Sequence, residues 1–293
     1  MNEKQIYEKV QERYGSAAKV NDDKYGDTIA KAFGYTEEEL TSIPRNANLG
    51  LSCGNPLALA NLKEGETVID LGSGAGFDVF LAAKRVGSTG KVIGVDMNKD
   101  MLKRANQNKE KAQADNVSFI ESFITDIPLP DATVDCIISN CVINLVPESD
   151  KQYVFNEMFR LLKSGGRVAI SDILAKHELP EHVKDNMALY VGCIAGASQV
   201  KDYENYFREA GFADILILDS GSDLNIYNSA KENGKSCKCC GEGVENACCE
   251  KTPTCCSGTD PALEGSSKPI NPKLEDDDFN ELAGSFKIYA LKA

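Results

Sequence analysis

A doubly wound, mostly parallel α/β sheet is the fold that this sequence of 293 residues predicts, and three observations predict it. From Thr67 onward, short β-branched runs alternate with segments whose apolar residues recur at the helical period, the pattern of parallel strands joined by crossover helices. The first of these runs, TVID, passes directly into a glycine-rich turn, Gly72-Ser73-Gly74-Ala75-Gly76. The last residues, 285–293, alternate like a further strand after an insertion rich in Gly, Ser, Lys, Glu and Cys.

The strands are expected at 67–73, 91–97, 117–123, 134–141, 167–174, 213–220 and 285–293. Helices are expected over 76–87, 98–113 and 150–163, with a longer helical stretch over roughly 180–210 that stops at Gly211. Residues 1–48 read as polar and helical. Thr36 followed by Glu37, Glu38 and Glu39 has the form of a capped helix start, and Pro44 then interrupts that helix. The chain therefore divides into an N-terminal helical segment with a loop (1–60), a Rossmann-like core (61–220), a Cys-rich, partly disordered insertion (221–284) and a final strand (285–293).

Composition excludes several kinds of partner. With 32 basic and 45 acidic residues the formal charge is −13, so a nucleic-acid phosphate backbone would be repelled. No apolar run approaches the roughly eighteen residues of a membrane span, and the polar start MNEKQIYEKVQERYG lacks the apolar centre of a signal peptide. A cytoplasmic protein is expected. The chain has 11 cysteines but only two histidines, His177 and His182, which read as surface residues near Pro180. Chemistry that depends on a histidine base is therefore disfavoured, and reduced thiols point to soft-metal or redox chemistry.

Glycines in the turn after the first strand allow a ligand to approach the backbone and the amides of the next helix. Asp70 precedes the turn. Asp96, at the end of the next strand, is placed to accept hydrogen bonds from both hydroxyls of a ribose. A glycine-rich turn also serves packing alone, Asp70 also reads as a loop-ordering acid, and Asp126 as a helix cap. The spacing D-L-G-S-G-A-G is not the dinucleotide G-x-G-x-x-G; it resembles the first motif of class I S-adenosylmethionine (SAM)-dependent methyltransferases, whose seven-stranded sheet ends in an antiparallel strand. That resemblance implies SAM as cofactor, with Asp70, Gly72, Ser73, Gly74 and Gly76 around its methionine part. It implies Asp96 on the ribose, Met97, Ile124 and Thr125 around the adenine, and Asn140 against the cofactor.

At the end of the fourth strand stands Ser139-Asn140-Cys141-Val142-Ile143-Asn144-Leu145-Val146-Pro147, which resembles the corresponding segment of arsenite methyltransferases. GYTEEEL (34–40), ANLGLSCGNP (47–56), VIDLGSGAGFDVFLAA (68–83) and GCIAGA (192–197) are similar to that family as well, so the likeness spans roughly 34–215 and the last strand. It implies that Cys53, Cys141 and Cys193 bind trivalent arsenic, with arsenite or methylarsenite as substrate. It also implies a thiol reductant (glutathione or thioredoxin) as co-substrate. The protein is expected to be a monomer. Soft, thiophilic arsenic exchanges hydroxyls for sulfur. Its lone pair would then be the nucleophile, and a methyl transfer of that kind needs no base. Many relatives carry a further N-terminal cysteine, yet residues 1–52 contain none. Cys136, in the alternating run DCIIS, reads as core.

Seven cysteines (Cys237, Cys239, Cys240, Cys248, Cys249, Cys255 and Cys256) crowd into the insertion in a spacing unlike a zinc site. Capture and delivery of As(III), renewal of oxidised site thiols and a thiol buffer all remain open for them. Two rivals to the main reading also stand at this point: a SAM-dependent methyltransferase of a small organic molecule, and a non-catalytic As(III)-binding protein.

Overall fold

The computed structural model describes residues 2–19, 23–190, 192–227 and 278–293; the seven clustered cysteines lie outside them. Seven strands form one sheet in the order β3-β2-β1-β4-β5-β7-β6. They are β1 (Thr67–Leu71), β2 (Lys91–Asp96), β3 (Val117–Glu121), β4 (Val134–Asn140), β5 (Leu162–Ala175), β6 (Ala213–Asp219) and β7 (Ala283–Leu291). The first five pair in parallel, and β7 runs antiparallel between β5 and β6. This is the doubly wound sheet that the sequence predicts, with its antiparallel last strand.

Helices α1 (Glu3–Ala17), α2 (Asp23–Ala32), α3 (Glu37–Thr41) and α4 (Leu57–Ala60) precede β1. Thr36 caps α3 in a full capping box with Glu39, as its sequence suggests. The crossovers are α5 (Phe77–Val86), α6 (Lys99–Ala112) and α7 (Lys151–Leu161). One apolar cluster, around Ile137, Phe155 and Ile170, fills one face of the sheet. A second, around Val68, Phe80 and Cys136, fills the other. A third lies at the carboxyl end of the strands. It joins α1 and α2 to Cys53, Cys141 and Cys193.

The stretch 180–210 departs from the continuous helix expected. It breaks into α8 (Glu181–Lys184), α9 (Met187–Tyr190) and α10 (Val200–Ala210). Between the last two, residues 192–198 form a loop pressed so closely on the β4 side that a Cβ at Gly196 would lie 2.1 Å from the Asn144 carbonyl oxygen. The Ala175 N–H donates to Ser198 O, an interaction that holds this segment in extended form beside β5. Tertiary contact here overrides helical periodicity. The insertion is also shorter than expected at both ends. Leu224 is buried, a helical turn at Phe279–Leu282 packs on the third cluster, and β7 begins at Ala283.

Candidate active site

Strand order reverses between β1 and β4, and the crevice that opens beyond their carboxyl ends is the usual ligand position in such sheets. A cavity of about 1070 Å³, open solvent included, occupies it. Asp70, Gly72, Ser73 and Gly74 line it from β1. Asp96 and Met97 line it from β2, Ile124 and Thr125 from beyond β3, and Asn140 and Cys141 from β4. Helix α1 covers the opening with Tyr7, Val10, Gln11 and Tyr14.

Gly72 has a left-handed φ of +69°, and a Cβ there would meet Val142 Cγ2 at 2.4 Å, so only glycine lets the β1 turn lie against the residue after Cys141. Gly76 does not line the cavity. A Cβ on it would strike Phe80 at 2.7 Å, so this glycine serves the packing of α5. Asn140 borders the cavity, but its amide is committed elsewhere. Its Oδ1 accepts from Cys53 N–H (3.2 Å), and its Nδ2 donates to Gly54 O, Asp78 and Tyr35 Oη. Asn140 thus borders the cavity and at the same time tethers the Cys53 loop.

Three carboxylates surround the cavity. Asp96 accepts backbone N–H groups of Gly74 and Asn98, each at 2.8 Å, while burial raises its affinity for protons. Asp78 accepts from Tyr35 O–H at 2.7 Å and Asn140 at 3.0 Å; burial still pushes it up to about 6. Asp70 is buried, and its carboxylate has no hydrogen bond among the described residues. Burial first, then Asp78 and Asp96, hold it well above the ordinary range. The hydroxyl of Ser73 is buried without a partner. An unpaired carboxylate and an unpaired hydroxyl on one wall, with two further acids beside them, favour a ligand that is cationic and offers donors.

Beneath this cavity the three separated cysteines meet. Cys53 lies in the loop before α4, clamped by Asn140 and by the Ser285 hydroxyl, which donates to its carbonyl. Gly54 allows the clamp, since a Cβ there would lie 2.6 Å from Ser171 Cβ. Cys141 directly follows β4, and Cys193 follows α9. Both have left-handed backbone, φ +60° and +66°, which a non-glycine residue adopts only under constraint from its surroundings. Relative exposures of 0%, 6% and 2% for Cys53, Cys141 and Cys193 show that only the middle thiol reaches the cavity wall. The Cys53 and Cys141 sulfurs lie within 4.8 Å of each other, while the Cys193 thiol, which is not that close to both, donates to the Cys141 carbonyl oxygen at 3.1 Å. Burial pushes the Cys53 thiol up to about 12. Burial likewise raises Cys141, and the bond to Cys141 followed by burial raises Cys193. All three are neutral thiols near neutral pH. Cys136, five residues before Cys141, is buried within the second cluster, away from this group.

Four residues around the thiols escaped the sequence reading. The Asp172 carboxylate lies within 4.8 Å of the sulfurs of Cys53 and Cys141. Tyr14 Oη is 3.9 Å from Cys193 Sγ, and half-buried Tyr227 donates to Ser52 O. Lys151, 1% exposed, donates to Gly196 O and Ser198 Oγ and pairs with Glu148, fastening the Cys193 loop to the segment after Cys141. A lone acid inside the apolar run VAISDIL was the one available signal for Asp172.

A seven-stranded sheet with its antiparallel last strand, and a cation-favouring crevice at the reversal of strand order, define a class I methyltransferase domain. The chain belongs to the methyltransferase-domain family, whose model matches residues 62–211. It is 43% identical over 228 residues to the arsenite methyltransferase of Halobacterium salinarum, covering 72% of this chain and 58% of that protein. It is 33% identical over 237 residues to that of Mus musculus, covering 74% and 62%. The chain thus spans about three fifths of the length of these curated relatives. Among solved structures, an arsenic(III) S-adenosylmethionine methyltransferase from Chlamydomonas reinhardtii superposes with a TM-score of 0.54 at 25% identity, over 91% of this chain and 73% of that one. A geranyl diphosphate C-methyltransferase from Streptomyces coelicolor shares the fold, with a TM-score of 0.62 at 16% identity over 97% and 98% of the two chains.

Proposed function

We propose that this protein transfers methyl groups from SAM to trivalent arsenic held by Cys53, Cys141 and Cys193. The observation that carries the reading is the gathering of three buried cysteines from three distant segments into one cluster beneath the crevice of a methyltransferase sheet, with Cys193 bonded to the Cys141 backbone. The crevice fits SAM: Asp70 and the orphaned Ser73 hydroxyl face its methionine end, Asp96 suits a ribose, and Met97, Ile124 and Thr125 suit an adenine. When bound, SAM supplies an electrophilic methyl group on a sulfonium.

The protein's own part begins with the thiols. Three neutral thiols and As(OH)3 give As(SCys)3 and three waters, with no net change of charge. A divalent ion on three thiolates would instead leave a net negative charge in a closed site beside the Asp172 carboxylate, at a large cost in desolvation and repulsion. Neutral thiols in a closed floor therefore suit a trivalent metalloid. The trigonal complex keeps a lone pair, and no proton has to be removed before it attacks. What the fold contributes is approach geometry and exclusion of water.

Inorganic arsenite or methylarsenite is the small-molecule substrate in this reading. Glutathione or thioredoxin returns the oxidised product to the trivalent state, and the enzyme works as a cytoplasmic monomer. Incubation with methyl-labelled SAM, a thiol reductant and arsenite should yield labelled methylarsenicals, while a panel of organic acceptors should stay unlabelled. Replacing Cys141 or Cys193 with serine should lower that yield by roughly a thousandfold or more. Methylation retained in either variant would contradict the assignment.

A further inference from the structure

Asp172 is fully buried at the thiol floor, on β5. Its Oδ1 accepts from Asn144 Nδ2 (2.9 Å) and from the Ile173 N–H (2.9 Å), and its Oδ2 accepts from Tyr203 O–H (2.8 Å). Burial pushes this group up to about 6, but every one of these partners is a donor, and three donors aimed at one carboxyl group keep it a carboxylate at neutral pH. No salt bridge among the described residues neutralises it; the nearest cationic influence is Lys151, itself engaged with Glu148, Gly196 and Ser198. A carboxylate oxygen and the Cys53 and Cys141 sulfurs lie within 4.8 Å of one another. An unneutralised buried anion beside three thiols is costly, and the neutral As(SCys)3 complex does not call for it.

Charge accounting for the transfer supplies the reason. In the step, the arsenic lone pair forms the As–C bond while the C–S bond of the sulfonium breaks and its electron pair stays on sulfur. The product is a neutral thioether and a CH3–As(SCys)3 centre that carries the positive charge. One unit of positive charge therefore moves from the cofactor cavity down to the thiol floor. We propose that Asp172 is a catalytic residue for the methylation put forward above, its fixed carboxylate stabilising the positive charge that develops on arsenic. An anion already oriented by Asn144, Ile173 and Tyr203 acts without reorganising as the charge arrives. It does not need to serve as base, ligand or nucleophile. The proposal rests on the arsenite reading, and its test separates the two.

In the full-length protein, Asp172→Asn keeps the side-chain shape and removes the charge. Arsenite should still bind with the stoichiometry of the wild type, measured by arsenic content after gel filtration. Thiolate ultraviolet absorbance should appear at lower pH than in the wild type, because a neighbouring negative charge has been removed. The single-turnover rate of methyl transfer to prebound arsenite should fall roughly tenfold. Asp172→Glu retains the charge and should stay within about threefold of the wild type. A rate for Asp172→Asn within twofold of the wild type overturns the proposal. So does loss of arsenite binding in that variant, which would make Asp172 a ligand or a scaffold, or a tenfold loss in Asp172→Glu. A wild-type protein that binds arsenite and yields no methylated arsenical refutes the functional reading instead.

Discussion

The crevice and the floor beneath it are built on opposite principles. In the crevice, polar groups come from short neighbouring segments, the β1 turn and the ends of β2 and β4. Two of them, the Asp70 carboxylate and the Ser73 hydroxyl, have no protein partner among the described residues. The floor is closed and lined mostly by apolar groups, with the Asp172 carboxylate held by its own donors, and its thiols come from residues 53, 141 and 193, gathered only by the tertiary fold. Polar groups without partners favour an incoming charged ligand at a cost to the empty protein. Buried neutral thiols cost little when empty and favour a neutral, covalent complex. One methyltransferase domain thus prepares two very different environments, separated by the wall that Cys141 shares with both.

Variants on either side should break that division in opposite ways. The largest effect belongs to Asp96→Ala. It removes a carboxylate that orders the Gly74 and Asn98 amides and faces the cavity, and SAM affinity should fall roughly fiftyfold by equilibrium dialysis. Arsenite stoichiometry should not change. Lys151→Met attacks the floor. With three bonds of a buried ammonium lost, stability should drop by about 2–3 kcal/mol in urea titrations, and arsenite affinity should weaken more than SAM affinity.

Asp70→Asn should act through pH. Burial raises this carboxyl well above its ordinary value, so the folded protein prefers it protonated. Stability from that preference is complete at acid pH and is lost as pH rises through the raised value. The variant should therefore melt a few degrees higher than the wild type at pH 8, with the difference vanishing near pH 4, while binding SAM more weakly. An unchanged melting difference across that range would remove Asp70 from the group of uncompensated acids. The smallest effect should come from Cys136→Ala, which opens a small cavity in the second cluster. A loss of about 1 kcal/mol with arsenite methylation intact would separate this cysteine from its neighbour at 141.

These two regions also differ in how legible they were in the sequence. β-branched runs marked all seven strands, because parallel core strands need such residues wherever they occur. The crevice was nearly as plain, since the glycine turn and the two acids lie within a strand or two of each other. Gly76 and Asn140 show the limit. Their residue types suit a cofactor contact, but nothing local announces that Gly76 also makes room for Phe80 or that Asn140 also ties down the Cys53 loop. At the floor, the pattern of strand four separates Cys136 from Cys141, but the trio was legible only through family likeness. Lys151 and Asp172 were missed because their partners are distant in sequence, Ser198 for one and Asn144 and Tyr203 for the other. The break in 180–210 was hidden for the same reason, its cause being the carbonyl of Asn144 against Gly196.

The place of β7 bears on the order in which the molecule is made. This strand slots between β5 and β6, and it carries Ser285, which grips the Cys53 carbonyl, and Ala283, which packs among the thiol-bearing residues. While a nascent chain is still short of Ala283, Cys53, Cys141 and Cys193 are all synthesised, yet the sheet has a gap where the Cys53 loop should be fastened. Closing it joins strands far apart in the chain, a contact that forms late because its entropic cost is not met until both neighbours are in place. The fastening of the Cys53 loop beside Cys141 and Cys193 would thus depend on β7 taking its place in the sheet, and not on the three cysteine segments alone.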